Sequence, residues 1–267
     1  MLILIVAGQS NALGAQSYVT DPSTHLDIFS DATRSPADAA VRLMWTETGV
    51  HTSGSNPVAL DSLQRLPHAP SPVFGPEVGL ARQLYSVGDH ELLVVKVAFS
   101  GTSLAVDWQA TRPDFVALID RVHHAIEWAT SHGYAPTLAG FYWMQGEADA
   151  SKAAWAADYS KNLRTFLKEV RSDLPLAAGT PIAIGQIDLT DYIAYEQAHG
   201  LCTTPTCASE IAWNKEVMNA QAATASGDVF VVPTSSLVRV HHYIHLSDAS
   251  ELNLGASFAE LGTRGSS

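Results

Sequence analysis

Basic residues are scarce in this sequence. Lys and Arg number 15 against 27 Asp and Glu, a formal net charge of −12. An acidic surface repels phosphate backbones and anionic lipid, which argues against nucleic acid and membrane surfaces as partners and favours an uncharged or weakly charged ligand. No apolar run approaches the length of a membrane span. No basic region precedes the opening LILIVAG, which runs straight into a polar turn and reads as a strand, not a signal peptide. Low-complexity tracts, charge runs and internal repeats are also missing, so one domain over 1–267 is expected, with a loop-rich insertion at about 15–72. Cysteine occurs only at Cys202 and Cys207, bracketing the loop TTPT. The pair reads either as a local disulfide, which points to an extracellular, oxidising compartment, or as two free thiols; no second Cys pair supports zinc.

What is present is an alternation of strands and helices. LILIV (2–6), LLVVKVAFSG (92–101), TLAGFYWMQGE (137–147), TPIAIGQIDL (180–189) and DVFVVPTSS (228–236) read as strands buried on both faces. Between them lie helical patterns: EVGLARQLYSVG ending at Gly88, a helix from about Pro113, one over about 153–171, and one over 210–225. A last helix is expected over 247–261. VRLMW (41–45) is one short extended piece inside the polar 15–72 segment, which is expected to cover part of a substrate cleft. Parallel strands need crossover connections, so the expected fold is α/β, a three-layer α/β/α sandwich around a five-stranded parallel sheet. The loops after the strands then share one edge. They carry GQSN, SGTSL, QGEAD and HHYIH.

Those clusters hold the parts that acyl transfer requires. A serine hydroxyl needs a base, the base is best a histidine, a carboxylate orients that histidine, and N–H donors face the oxyanion. Ser10 ends the first strand and reads either as turn chemistry or as a nucleophile. His245, between the last strand and the last helix, is the best-placed base. The N–H groups of Ser10 and Gly101 are natural oxyanion donors, with the Gln145 amide as a third. Glu147 and Asp149 add carboxylates. Gln9, Asn11, Thr102 and Trp108 in the same loops are candidate substrate contacts. Asn11 reads alternatively as a loop brace, and Trp108 as a sugar platform or a packing residue. His241 and His245 have the i, i+4 spacing of a zinc pair but precede the helix.

GQSNALG, SGTSL, WMQGEAD and IHLSDAS, in this order and joined by FGPEVGLAR and YSKNL, resemble the blocks of SGNH hydrolases. The resemblance is closest to the branch that holds sialate O-acetylesterases and the acetylxylan esterases of carbohydrate esterase family six. It implies a flavodoxin-like sheet and removal of acetyl groups from a sugar without metal or organic cofactor. Ser10 matches the nucleophile, Gly101 and Gln145 the oxyanion positions, and His245 the base. Many members carry Asp three residues before that histidine, where this sequence has His242. In some members the Glu of W-x-Q-G-E serves instead, which implies Glu147 as the acid; Asp248 is the other candidate. Two other readings stand beside this one: an inactive carbohydrate-binding or adaptor domain that keeps the fold, and a lipase-type esterase, against which the polar 15–72 segment argues.

Overall fold

The strands, in chain order, are β1 (Leu2–Gly8), β2 (Arg42–Glu47), β3 (His51–Thr52), β4 (Val58–Ala59), β5 (Leu92–Ala98), β6 (Thr137–Met144), β7 (Ile182–Gln186) and β8 (Val229–Pro233). The computed structural model describes residues 1–23, 25, 27–47, 51–63, 69–88, 90–202, 206–240 and 243–264. Strand order is β3-β2-β5-β1-β6-β7-β8, with β4 also paired to β2. From β2 to β8 every neighbouring pair is parallel, and only the short β3 and β4 run antiparallel at the edge.

Six parallel strands therefore replace the expected five. The sixth is β2, the piece read from sequence as merely extended. It forms a full ladder with β5, from Arg42 opposite Leu93 to Glu47 opposite Ala98. Its terminal charges masked it. Glu47 is buried because Lys96, which is itself fully buried on β5, stands 3.5 Å from its carboxylate. The 15–72 segment thus divides in function. Its later part builds the sheet edge and includes α2 (Pro36–Ala40), while Gln16, Tyr18, Asp27 and Thr33 share a cavity with Val240, Ser247 and Asp248, which follow β8.

The helices are α1 (Ser10–Leu13), α2, α3 (Glu77–Ser86), α4 (Pro113–Ser131), α5 (Ala153–Asp173), α6 (Thr190–Ala198), α7 (Thr206–Ala222) and α8 (Asp248–Arg264). From β1 the chain goes first to β2, beyond β5 on one side, returns to β5, and then passes β1 to β6, β7 and β8. The steps from β5 past β1 to β6, then to β7 and β8, all run the same way, so right-handed crossovers put α4, α5 and α7 on one face of the sheet. α8 packs against α3, and α5 against α7. This reversal of direction at β1 opens the crevice at the carboxyl ends of β1, β5 and β6, where open α/β sheets hold ligands.

One buried charge cluster supports this crevice from below. Lys96 Nζ donates to the Leu13 carbonyl at 2.8 Å and to Glu77 Oε1 at 2.9 Å. The Glu77 carboxylate also accepts the Gly75 N–H. Burial pulls the Lys96 pKa down, but Glu77 and Glu47 outweigh it and the net shift is upward, so the ammonium stays charged. The FGPE motif is thereby tied to the turn that ends α1.

Candidate active site

Ser10 opens α1 directly after β1. Gly8, the last residue of β1, has φ 145°, and a Cβ there would lie 2.0 Å from the Met144 carbonyl oxygen. Only glycine allows β1 and β6 to approach this closely where the chain turns. Gln9 N–H then donates to the same carbonyl at 3.0 Å. The loop is closed at Gly14, in the left-handed conformation, whose N–H returns to the Ser10 carbonyl.

A cavity of about 540 Å³ lies over this turn. Ser10, Ser100, Gly101, Glu147, Tyr243 and His245 are among its lining residues, so the loops after β1, β5, β6 and β8 converge as expected. Gly101 has φ 75°, and a Cβ there would meet nothing within 4 Å. The space on the Cβ side of its Cα is open. Burial pushes the His245 pKa down to about 4, so the ring is a neutral imidazole at pH 7, the protonation state a general base needs.

Several expected site residues have structural duties instead. Gln145 is fully buried, and its Nε2 lies within hydrogen-bond reach of Asp149 Oδ2 (2.7 Å), the Thr102 carbonyl (3.1 Å) and Gln9 Oε1 (3.2 Å). Its donors are consumed by protein acceptors, which corrects its assignment to the oxyanion hole. Gln9 is 2% exposed, and its Oε1 accepts the N–H groups of Gly146 and Ala148 as well, so it braces the β6 loop. Thr102 donates to the Phe99 carbonyl and accepts from Trp108 Nε1. Trp108 is fully buried, edge-on to Trp143 with centroids 4.9 Å apart. Its packing reading holds, and the sugar platform is withdrawn. Asp149 accepts the N–H groups of Leu104 and Ala105 and joins the β5 loop to the β6 loop; burial raises its pKa to about 6.

Asn11 is the brace among the alternatives weighed for it. Its Nδ2 donates to Glu147 Oε1 at 2.6 Å and to the Ile244 carbonyl at 3.2 Å, while its Oδ1 accepts the Leu246 N–H at 2.9 Å. One side chain thus fixes the β6 loop and both sides of His245. It also takes the carboxylate that was expected to orient that histidine. Glu147 is 6% exposed, its Oε2 has no hydrogen-bond partner among the described residues, and burial raises its pKa against the pull of the Asn11 bond. Asp248, the other candidate acid, accepts the Tyr18 N–H. The Nδ1 of His245 instead meets Gln16 Oε1 at 3.0 Å. His241 and His242 lie outside the described residues, so the zinc spacing and the replaced Asp position are not part of this geometry.

Sequence reasoning missed the wall built by α6 and its surroundings. Leu189, Tyr192, Ile193 and Glu196, with Glu210 of α7, line the cavity opposite the strand ends. Tyr192 donates to Glu196 at 2.5 Å and stands edge-on to Tyr243, which in turn stands edge-on to His245. The available signal was position: TDYIAYEQA follows a strand, as the other site loops do. Cys202, after α6, forms a disulfide with Cys207 in the first turn of α7, as one of the two readings had it. Carboxylate oxygens of Glu196 and Glu210 lie within 4.8 Å of the Cys202 sulfur and of each other, but a sulfur in a disulfide is no thiolate ligand. Among the described residues this is the one group with metal-ligand spacing.

The profile of the family described as carbohydrate esterase, sialic acid-specific acetylesterase, matches residues 1–263. The chain belongs to this family. It is thus a carbohydrate O-acetylesterase by membership; the expected branch agrees with this family, and the expected fold class with the structural neighbours. An Arabidopsis thaliana protein superimposes with a TM-score of 0.69 at 18% identity, covering 98% of each chain. NanS gives 0.62 at 13% identity, covering 98% of this chain and 96% of that one. A carbohydrate acetylesterase from Xanthomonas citri gives 0.63 at 14% identity; 98% of this chain spans 55% of that longer protein. At these identities the likeness is one of fold. No match is found among curated proteins. Among the described residues no helix is long and apolar enough to cross a membrane.

Proposed function

We propose that this carbohydrate esterase works through Ser10, with His245 as its base and an acyl-enzyme intermediate. His245 Nε2 takes the proton from Ser10 Oγ as the oxygen attacks the acetyl carbonyl carbon. The carbonyl oxygen becomes an oxyanion facing the N–H groups of Ser10 and Gly101; each such donor is worth about 3 kcal/mol of barrier. The C–O bond to the sugar breaks, the imidazolium returns its proton to the leaving hydroxyl, and acetyl remains on Ser10. Water then attacks with His245 as base again, releasing acetate and restoring the serine. The observation that carries this reading is that Ser10, Gly101 and His245, each from a different loop, line one cavity.

The test is Ser10→Ala. Acetate release from an O-acetylated sugar is expected to fall by at least about a thousandfold, in the range seen when a catalytic serine is removed, while the melting temperature stays close to that of the unmodified protein. Unchanged acetate release from folded Ser10→Ala protein refutes the serine mechanism. The inactive-adaptor reading is refuted by turnover of 4-nitrophenyl acetate that depends on Ser10.

A further inference from the structure

Among the described residues no carboxylate stands behind the base, and the geometry points to Gln16 in that place. We propose that Gln16 is the positioning residue for His245, a neutral acceptor in the role usually given to Asp or Glu. The inference rests on His245 being the base. Gln16 Oε1 accepts the Nδ1–H at 3.0 Å, which fixes the tautomer that leaves Nε2 unprotonated for Ser10. Gln16 also has φ 68°, and His25 is the only other non-glycine among the described residues with positive φ. A side chain held in this sparsely populated region persists where its surroundings over-determine it, and such residues gather at functional sites.

The surroundings do so here. Ser17 Oγ donates to the Leu246 carbonyl at 2.9 Å and Tyr18 N–H to Asp248 Oδ1 at 3.0 Å. With Asn11 holding the Ile244 carbonyl and the Leu246 N–H, residues 11–18 grip both flanks of His245. The segment that starts with the nucleophile therefore ends with the group that aims its base. The titratable groups near the ring are otherwise engaged. Glu147 is held by Asn11, Asp248 by Tyr18, and Tyr243 meets the imidazole edge-on at 5.3 Å. An amide dipole orients the ring without the full charge that would stabilise an imidazolium, in keeping with a half-buried base that stays neutral well into acid.

Gln16→Met keeps the length and removes the acceptor; Gln16→Glu keeps the acceptor and adds the charge. Gln16→Met is expected to lower kcat about a hundredfold with little change in KM, as for a displaced catalytic group. Gln16→Glu is expected to restore most of that loss and to move the acid limb of the kcat/KM profile up by at least about one pH unit, because a carboxylate favours the imidazolium. A purely structural role would leave that limb in place. Nitrogen NMR of the imidazole, assigned with His245→Ala, reads the same contact without catalysis: Nδ1–H is expected in the unmodified protein, with a loss of the single tautomer in Gln16→Met. Two results overturn the proposal: kcat of Gln16→Met within twofold of the unmodified enzyme, or a proton on Nε2 in the unmodified protein. Failure of the serine-esterase reading is seen separately, as Ser10-independent hydrolysis, and leaves the NMR result decisive for Gln16.

Discussion

Replacing Asn11 by Asp changes one atom's chemistry at the point where three loops meet. The shape is kept and Oδ1 can still accept the Leu246 N–H, but Nδ2 becomes an acceptor facing Glu147 Oε1 across 2.6 Å. Loss of the bond to the Ile244 carbonyl costs about 1 kcal/mol at any pH. The larger effect depends on pH. Two buried carboxylates at this distance cannot both ionise, so the native pair holds one proton more tightly than the same groups do in the unfolded chain. Groups whose native pKa is raised lose stability as pH climbs from the unfolded value, about 4, to the raised one, and the loss then levels off. Glu147 is already raised by burial, and the new charge adds to that shift. Two further units correspond to about 2.7 kcal/mol. Near pH 4 the shared proton makes an O–H···O bond, and the variant is expected within about 1 kcal/mol of the unmodified protein; at pH 8 the gap is expected to reach about 3–4 kcal/mol, or very roughly 10 °C in melting temperature. Urea unfolding of both proteins from pH 4 to 9 measures it. A gap that is the same at every pH would falsify the reasoning, because it would mean that the introduced carboxylate and Glu147 do not face each other.

Two further outcomes are expected. Gly8→Ala places a Cβ 2.0 Å from the Met144 carbonyl at φ 145° and is expected to destabilise the fold by about 3 kcal/mol or more, read by denaturant unfolding; near-normal stability refutes the close β1–β6 approach. Glu147, Glu196 and Glu210 line the cavity, while no Lys or Arg does among the described residues, so an O-acetylated sugar with a free carboxylate is expected to show lower kcat/KM than its methyl ester, the difference shrinking with salt. Equal values at low salt refute that electrostatic reading.

The strands and long helices were legible because their patterns are local. LILIV and LLVVK can be buried only on both faces, and the stripe of α5 has helical spacing, so the order of elements follows from the residues alone. The same is true of which loops share an edge, and hence of Ser10, Gly101 and His245 as one set. β2 escaped because its charged ends find their partners about fifty positions away, Arg42 at Glu91 and Glu47 at Lys96. α6 escaped because its wall is defined by what it faces across the cavity. The roles of the polar side chains were decided by tertiary structure alone. Gln145, Asn11 and Glu147 are the kinds of residue that acyl transfer uses, and sequence shows their type but not their partners. A buried amide or carboxylate goes to whichever donor or acceptor the fold brings within about 3 Å. In this fold Asn11 reached Glu147 first, Asp149 took Gln145, and the imidazole was left to Gln16.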